Sequence, residues 1–229
     1  MEKEEQEESK SILKDYGIAI GAAVLIALFI RFFLVEAYRM PSGAMAPTLE
    51  PGDTLFVSKL SYGIRLPGDD GERLLESKPK IGDVVVFEFP DEPKREYIKR
   101  VVGLAGDRIK IESGKLYRNG TLISEFSNPN DLCGKEPKTN GEKYVVCIEQ
   151  PLMDTTAESV VPENQVFLVG DYRSVPAEPR RLKLFGMTPI AKIKGKAKFV
   201  WISIFPTAGA GGGDWFSRIR FDRILKAIH

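Results

Sequence analysis

Between residues 17 and 30 the chain reads GIAIGAAVLIALFI, a run without a charge. At ~1.5 Å per residue it reaches about 21 Å, short of a hydrocarbon core of ~30 Å. Continued through RFFLV to Val35 it reaches about 28 Å, with Arg31 near one end where its stem can snorkel. Pro41 stops a helix and pushes Met40 toward extended geometry. The pattern predicts an anchor over 16–38 behind an N-terminal tail, 1–15. A cleaved leader fits less well, because MEKEEQEESK is mostly acidic and no A-x-A-like exit follows. Lys3, Lys10 and Lys14 precede the run and Arg31 and Arg39 lie at its far end, a small bias toward a cytoplasmic N-terminus.

After Pro41 the period changes. Short runs rich in Val, Ile, Phe and Tyr alternate with Gly, Pro, Asn and Asp clusters: DTLFVSKL, DVVVFEF, EYIKRVVGL, RIKIES, KLYRNGTLI, KYVVCIE, QVFLVGD and KAKFVWISIF. These have strand length and strand composition. They predict a mainly β domain of sandwich or barrel type. The tail WFSRIRFDRILKAI comes nearest to a helical period. The polar stretch 113–163 reads as an inserted subdomain or a long decorated hairpin. It divides the β core into 39–112 and 164–229. GAGGG at 209–213 reads as a spacer, since no Lys-Ser/Thr follows to cradle phosphate.

Composition narrows the chemistry. The 229 residues hold 33 basic and 32 acidic side chains, so no global field points to nucleic acid. The single histidine, His229, disfavours a Ser-His-Asp triad or a His-rich metal site, and no cofactor is implied. Cys133 and Cys147 flank the turn signal Asn140-Gly141, which would close them into a hairpin. Outside the cytoplasm a disulfide is favoured over two free thiols.

In EYIKRVVGLAGDRI, a strand places Tyr97, Lys99 and Val101 on one face and Ile98, Arg100 and Val102 on the other. Two adjacent cations then point oppositely, and at least one is buried or half-buried. One reading is an edge strand with both heads in water. The other is a desolvated lysine acting as general base. Such a base needs a hydroxyl. In MPSGAMAPTLEPGD, residues 40–53, Ser42 and position 44 share one side of an extended segment. A hydroxyl at 44 would complete a Ser-Lys pair.

These boxes, in this order, resemble type I signal peptidases, membrane-anchored Ser/Lys endopeptidases that remove signal peptides. The resemblance rests on ALFIRFFLVEAYRMPSGAMAPTLEPGD, IGDVVVFEFP, YIKRVVGLAGD, LYRNG, VPENQVFLVGDYR, GKAKFVWIS and IRFDRILKAIH. It implies a β-rich core at the lipid surface and preference for small residues at substrate positions −1 and −3. It implies that Lys99 is the general base and position 44 the nucleophile. Ser42 and the N–H of residue 44 would line the oxyanion hole, and Asp171 and Arg180 would be structural. The expected partners are signal peptides of exported preproteins, the bilayer and the secretion machinery. The expected location is the bacterial cytoplasmic (inner) membrane, single-pass, with the C-terminal domain outside.

Two departures stand against the family pattern. Ala44 has no Oγ, so no acyl-enzyme can form there. The pattern GDNRxxSxDSR appears as GDYRSVPAEPR. Tyr172 replaces Asn, Pro176 the Ser that bonds the lysine, Glu178 the Asp and Pro179 a Ser. Three explanations stay open: a natural pseudoprotease, which accounts for several losses at one site; an engineered Ser-to-Ala change; and rescue by another hydroxyl. A soluble Ser/Lys autoprotease of the repressor type is more remote, because an apolar anchor precedes the β domain.

Overall fold

The computed structural model describes residues 2–65, 73–89, 92–113, 115–128, 131–148, 157–173, 186–205 and 215–228. The apolar run lies in a helix, α1 (Glu2–Phe29), which passes into a π turn at Ile30–Leu34. Its large apolar side chains face outward, Leu25 at 69% exposure among them. Among the described residues, no helix is long and apolar enough to cross a membrane. The helix also stops short of the expected residue 38. Strand β1 (Val35–Arg39) begins instead, because VEAYR finds an antiparallel partner in β2 (Asp53–Ser58), from Val35↔Ser58 to Arg39↔Thr54. Pairing satisfies one edge of its backbone, and Tyr38 is buried.

Further strands follow in chain order. The first are β3 (Ile64–Arg65), β4 (Arg73–Leu74), β5 (Val84–Phe89), β6 (Glu92–Leu104), β7 (Arg108–Glu112), β8 (Lys115–Arg118) and β9 (Thr121–Leu122). Then come β10 (Cys133–Pro137), β11 (Lys143–Ile148), β12 (Ser159–Val160), β13 (Gln165–Val169), β14 (Tyr172–Arg173), β15 (Met187–Pro189) and β16 (Ile193–Ser203). The main sheet has seven strands in the order β1-β2-β16-β5-β6-β13-β15. A second sheet runs β12-β7-β8-β9 and a third β10-β11-β14, while β3 and β4 form a two-stranded ribbon.

The unbroken apolar run of β5 has a physical reason: both of its faces are covered. Val84 and Val86 join a core with Tyr38, Met45, Leu49 and Leu55. Val85 and Phe87 join another with Tyr62, Val101, Leu168 and Ile193. A third core, around Ile109, Leu116 and Phe167, lies under the second sheet.

The stretch 113–163 does not stand apart. Strands β8, β9 and β12 extend the sheet of β7, and β11 pairs in parallel with β14, Cys147↔Tyr172 and Ile148↔Arg173. The hairpin turn forms at Asn140-Gly141, where Gly141 takes φ +82°. The cysteines face each other across β10 and β11 and are joined as the Cys133–Cys147 disulfide. The tail is not a regular helix. It makes two short 3₁₀ turns, Trp215–Arg218 and Phe221–Arg223, and then runs beside β16, where the Ile228 N–H donates to the Lys198 carbonyl at 2.9 Å. Arg220 and Arg223 reach inward to carboxylates, and that geometry replaces a helical period. The GAGGG segment lies outside the described residues.

Candidate active site

Residues 40–53 form a loop closed at its neck. The Met40 N–H donates to the Asp53 carbonyl at 2.7 Å, and the Gly52 N–H to the Met40 carbonyl at 2.9 Å. Inside the loop the Leu49 N–H reaches the Met45 carbonyl, and both side chains are fully buried. These two apolar plugs press the loop onto the core and leave Ser42 exposed and Ala44 half-buried on the outer side.

The loop is gripped from the tail. Asp53, fully buried, receives Arg223 Nη2 at 2.6 Å, Arg220 Nη2 at 3.1 Å and the Ser203 hydroxyl at 2.6 Å. Both arginines also reach Glu50, and Arg223 reaches the Thr48 carbonyl at 3.2 Å. Burial raises the Asp53 carboxyl, but the bonds from Arg223, the Glu50 N–H and Ser203 outweigh it and hold it below the usual range.

Strand β6 is interior, between β5 and β13, so the edge-strand reading of its two cations does not hold. Arg100 is fully buried on one face and Lys99 half-buried on the other. Burial lowers the pKa of the Lys99 ammonium, and the negative charge of Asp171 opposes that shift. Among the described residues, no group of three or more His, Cys, Asp or Glu side chains is placed to hold a metal ion.

Lys99, Ser42 and Ala44 line one groove of about 600 Å³, walled by Glu36–Met40 of β1 and its exit and by Arg95–Ile98 of β6. Gly170 sets how near the parts come. A methyl carbon there would collide with the Ala44 carbonyl oxygen and lie 3.0 Å from Lys99 Nζ. The Ala44 carbonyl accepts the Tyr172 N–H at 3.2 Å. A larger residue at 170 would therefore push on backbone as well as on the lysine. Deeper in the groove the Tyr38 hydroxyl contacts Glu96 at 3.4 Å, and burial followed by the charges of Glu36 and Glu96 raises its pKa strongly.

Asp171 lies behind the groove. Its carboxylate takes Arg100 Nε at 2.8 Å, Arg100 Nη2 at 2.6 Å and the Thr48 hydroxyl at 2.5 Å. Cys133 and Cys147 are not groove residues. Pro176, Glu178, Pro179 and Arg180 lie outside the described residues, whereas Tyr172 is described and exposed. Sequence reasoning missed Thr48, Gly170 and the Glu50/Asp53–Arg220/Arg223 clamp. The clamp had a signal in the matched spacing of three between the acids and between the arginines.

The chain matches the family described as signal peptidase, peptidase S26, over residues 13–202. It is 37% identical over 215 residues to signal peptidase I of Pseudomonas aeruginosa, spanning 84% of this chain and 73% of that protein. It is 30% identical over 265 residues to signal peptidase I of Rickettsia typhi, spanning 100% and 98%. A solved signal peptidase I from Enterococcus faecalis is 24% identical with a TM-score of 0.32, covering 52% of this chain and 97% of that one, and at that score it adds nothing on fold. A family match over most of the length and two bacterial relatives at 30% identity or more agree with the order of boxes around the groove: this chain belongs to the signal peptidase family, peptidase S26.

Proposed function

We propose that this chain is a membrane-anchored signal peptidase scaffold that receives the N-terminal signal peptides of exported preproteins. The peptide enters the groove extended, between β1 and residues 95–99 of β6, and adds its backbone to the terminal strand of the main sheet. Small residues at −1 and −3 place the scissile carbonyl near position 44. Lys99, desolvated, is the general base. Ser42 and the N–H of residue 44 serve the oxyanion, and Asp171 with Arg180 supports the site. The single observation behind this reading is that the Ala44 carbonyl and Lys99 Nζ pack against the same glycine.

Ala44 lacks the hydroxyl that Lys99 would deprotonate. As written, the chain does not cut by the Ser/Lys route, and removing the nucleophile of such a unit removes most of the rate. Ala44 also favours a second reading, a pseudoprotease that docks signal peptides or preproteins without cleaving them. An engineered Ser-to-Ala change in a working enzyme gives the same chemistry for this chain. The outward-facing apolar side chains of α1, with helical backbone continuing to Leu34, support its role as anchor. The reading places the protein in the bacterial cytoplasmic membrane with the β domain outside, beside the secretion machinery.

The test is preprotein cleavage by the purified full chain in detergent. The unaltered chain is expected to bind without turnover, and Ala44→Ser to cleave. Turnover by the unaltered chain that disappears in Lys99→Met would overturn the inactive reading. An inert Ala44→Ser protein would place the defect in the altered box around Pro176.

A further inference from the structure

The third sheet is built on a carboxylate with no exposure to water. Glu136 of β10 is fully buried, and both of its oxygens are taken. Arg173 of β14 grips it with Nη1 at 2.6 Å and Nη2 at 2.7 Å. The Tyr144 hydroxyl of β11 donates to it at 2.6 Å, and the Ser124 hydroxyl donates as well. Burial raises the Glu136 carboxyl, but the charge and hydrogen bonds of Arg173, with Ser124 and Tyr144, bring it below the usual range. Both carboxylate oxygens are thus engaged away from water, by side chains that lie outside the groove.

This cluster touches the site through one ring. The Tyr144 face lies under the Arg100 guanidinium, 4.0 Å from its carbon to the ring centroid. Arg100 holds Asp171 on its other side. Arg173 lies two residues beyond Asp171, so Glu136 and Arg100 fix the same short segment at two points. The main chain adds a third, because the Cys147 N–H of β11 donates to the Asp171 carbonyl at 2.8 Å. Between these points runs the backbone that meets position 44: Gly170 against its carbonyl and Tyr172 donating to it.

We infer that Glu136 and Tyr144 are positioning residues: they hold the 170–173 segment, and through it the carbonyl of residue 44 and the amine of Lys99, in working register. The inserted stretch is then the back wall of the active site. The inference rests on the peptidase reading above, and it extends that reading to residues that neither touch the groove nor belong to the family boxes.

The charged and titratable groups around Lys99 are Asp171 behind it, Arg95, Glu96 and Tyr97 on its own strand, and Glu36, Tyr38 and Arg39 across the groove. Loosening the back wall admits water to the amine and weakens the hold of Arg100 on Asp171. Both changes favour the ammonium, so its pKa rises.

The experiment has two arms. The first uses the unaltered Ala44 chain and needs no turnover: competitive labelling of Lys99 by acetic anhydride as a function of pH, read by mass spectrometry. Tyr144→Leu removes both ring and hydroxyl, and its Lys99 midpoint is expected to rise by about half a pH unit or more. Tyr144→Phe keeps the ring under Arg100, and its midpoint is expected to lie between the two. The second arm repeats these variants with Ala44→Ser and measures preprotein cleavage. There kcat is expected to fall roughly tenfold in Tyr144→Leu with KM unchanged, because the groove walls are intact. A Lys99 midpoint that stays put in folded Tyr144→Leu overturns the inference. If Tyr144→Leu fails to fold, Glu136→Gln decides in its place, by the same midpoint. Absence of cleavage in Ala44→Ser itself would place the defect in the box around Pro176, as above, and leave the labelling arm to judge the back wall alone.

Discussion

Two arginine–carboxylate clusters grip the loop that carries position 44, and they differ in their access to water. The tail clamp joins Arg220 and Arg223 to Asp53 and Glu50, and Glu50 is 39% exposed. The back wall joins Arg100 to Asp171 and Arg173 to Glu136, and no member of it exceeds 7%. In the first, water can replace a lost partner at the rim. In the second it cannot, so a charge deprived of its partner stays desolvated. The same chemistry is therefore a fastening at Glu50 on the rim and a commitment at Asp53 and along the back.

Glu136→Ala is the heaviest blow to this contrast. It strands the Arg173 guanidinium and should cost about 3–5 kcal/mol, seen as a lower midpoint in urea. Gly170→Ala comes next. The added methyl presses on the Ala44 carbonyl and on Lys99, and a loss of about 1–3 kcal/mol is expected. In the Ala44→Ser background it should also abolish preprotein cleavage at a temperature where the protein remains folded. A stable, active Gly170→Ala protein would show that the two parts of the site do not need this approach.

Acid probes both clusters by another route. The Asp53 and Glu136 carboxyls both lie below their ordinary values when folded. Their stabilisation is therefore full above the unfolded carboxylate range, near ~4, and drains away as pH falls through the folded values. Asp53→Asn and Glu136→Gln should each flatten the acid limb of a stability-against-pH curve measured by denaturant midpoints. At the rim, Glu50→Gln should cost no more than about 1 kcal/mol. The Lys143–Glu125 pair, open on both sides, is the control. Lys143→Ala should stay within about 0.5 kcal/mol of the parent in the same titration.

The sequence showed the strands well because their signal is local. VVVFEF and KFVWIS read as strands from composition alone, and the Asn140-Gly141 turn with its two cysteines read as a hairpin. Ser42, position 44 and Lys99 stood out because their boxes occur in order, and the structure brings them to one groove. The rest depends on contacts between distant residues. VEAYR looked like the end of a helix, and only its pairing with residues 53–58 makes it a strand. Arg100 read as one of two cations on a strand of unknown placement, and its buried role needs Asp171 and Tyr144. Glu136 sits in a polar stretch, CGKEP, with no apolar period to betray its burial. The tail had the spacing of a helix, but its arginines serve carboxylates across the molecule.

The hydrogen bond from the Tyr172 N–H to the Ala44 carbonyl belongs to the main chain at residue 44, not to its side chain. The bond that holds the main chain at residue 44 therefore does not depend on a hydroxyl in its side chain. The exchange Ala44→Ser thus alters the side chain at this point while leaving in place the main-chain bond that positions it.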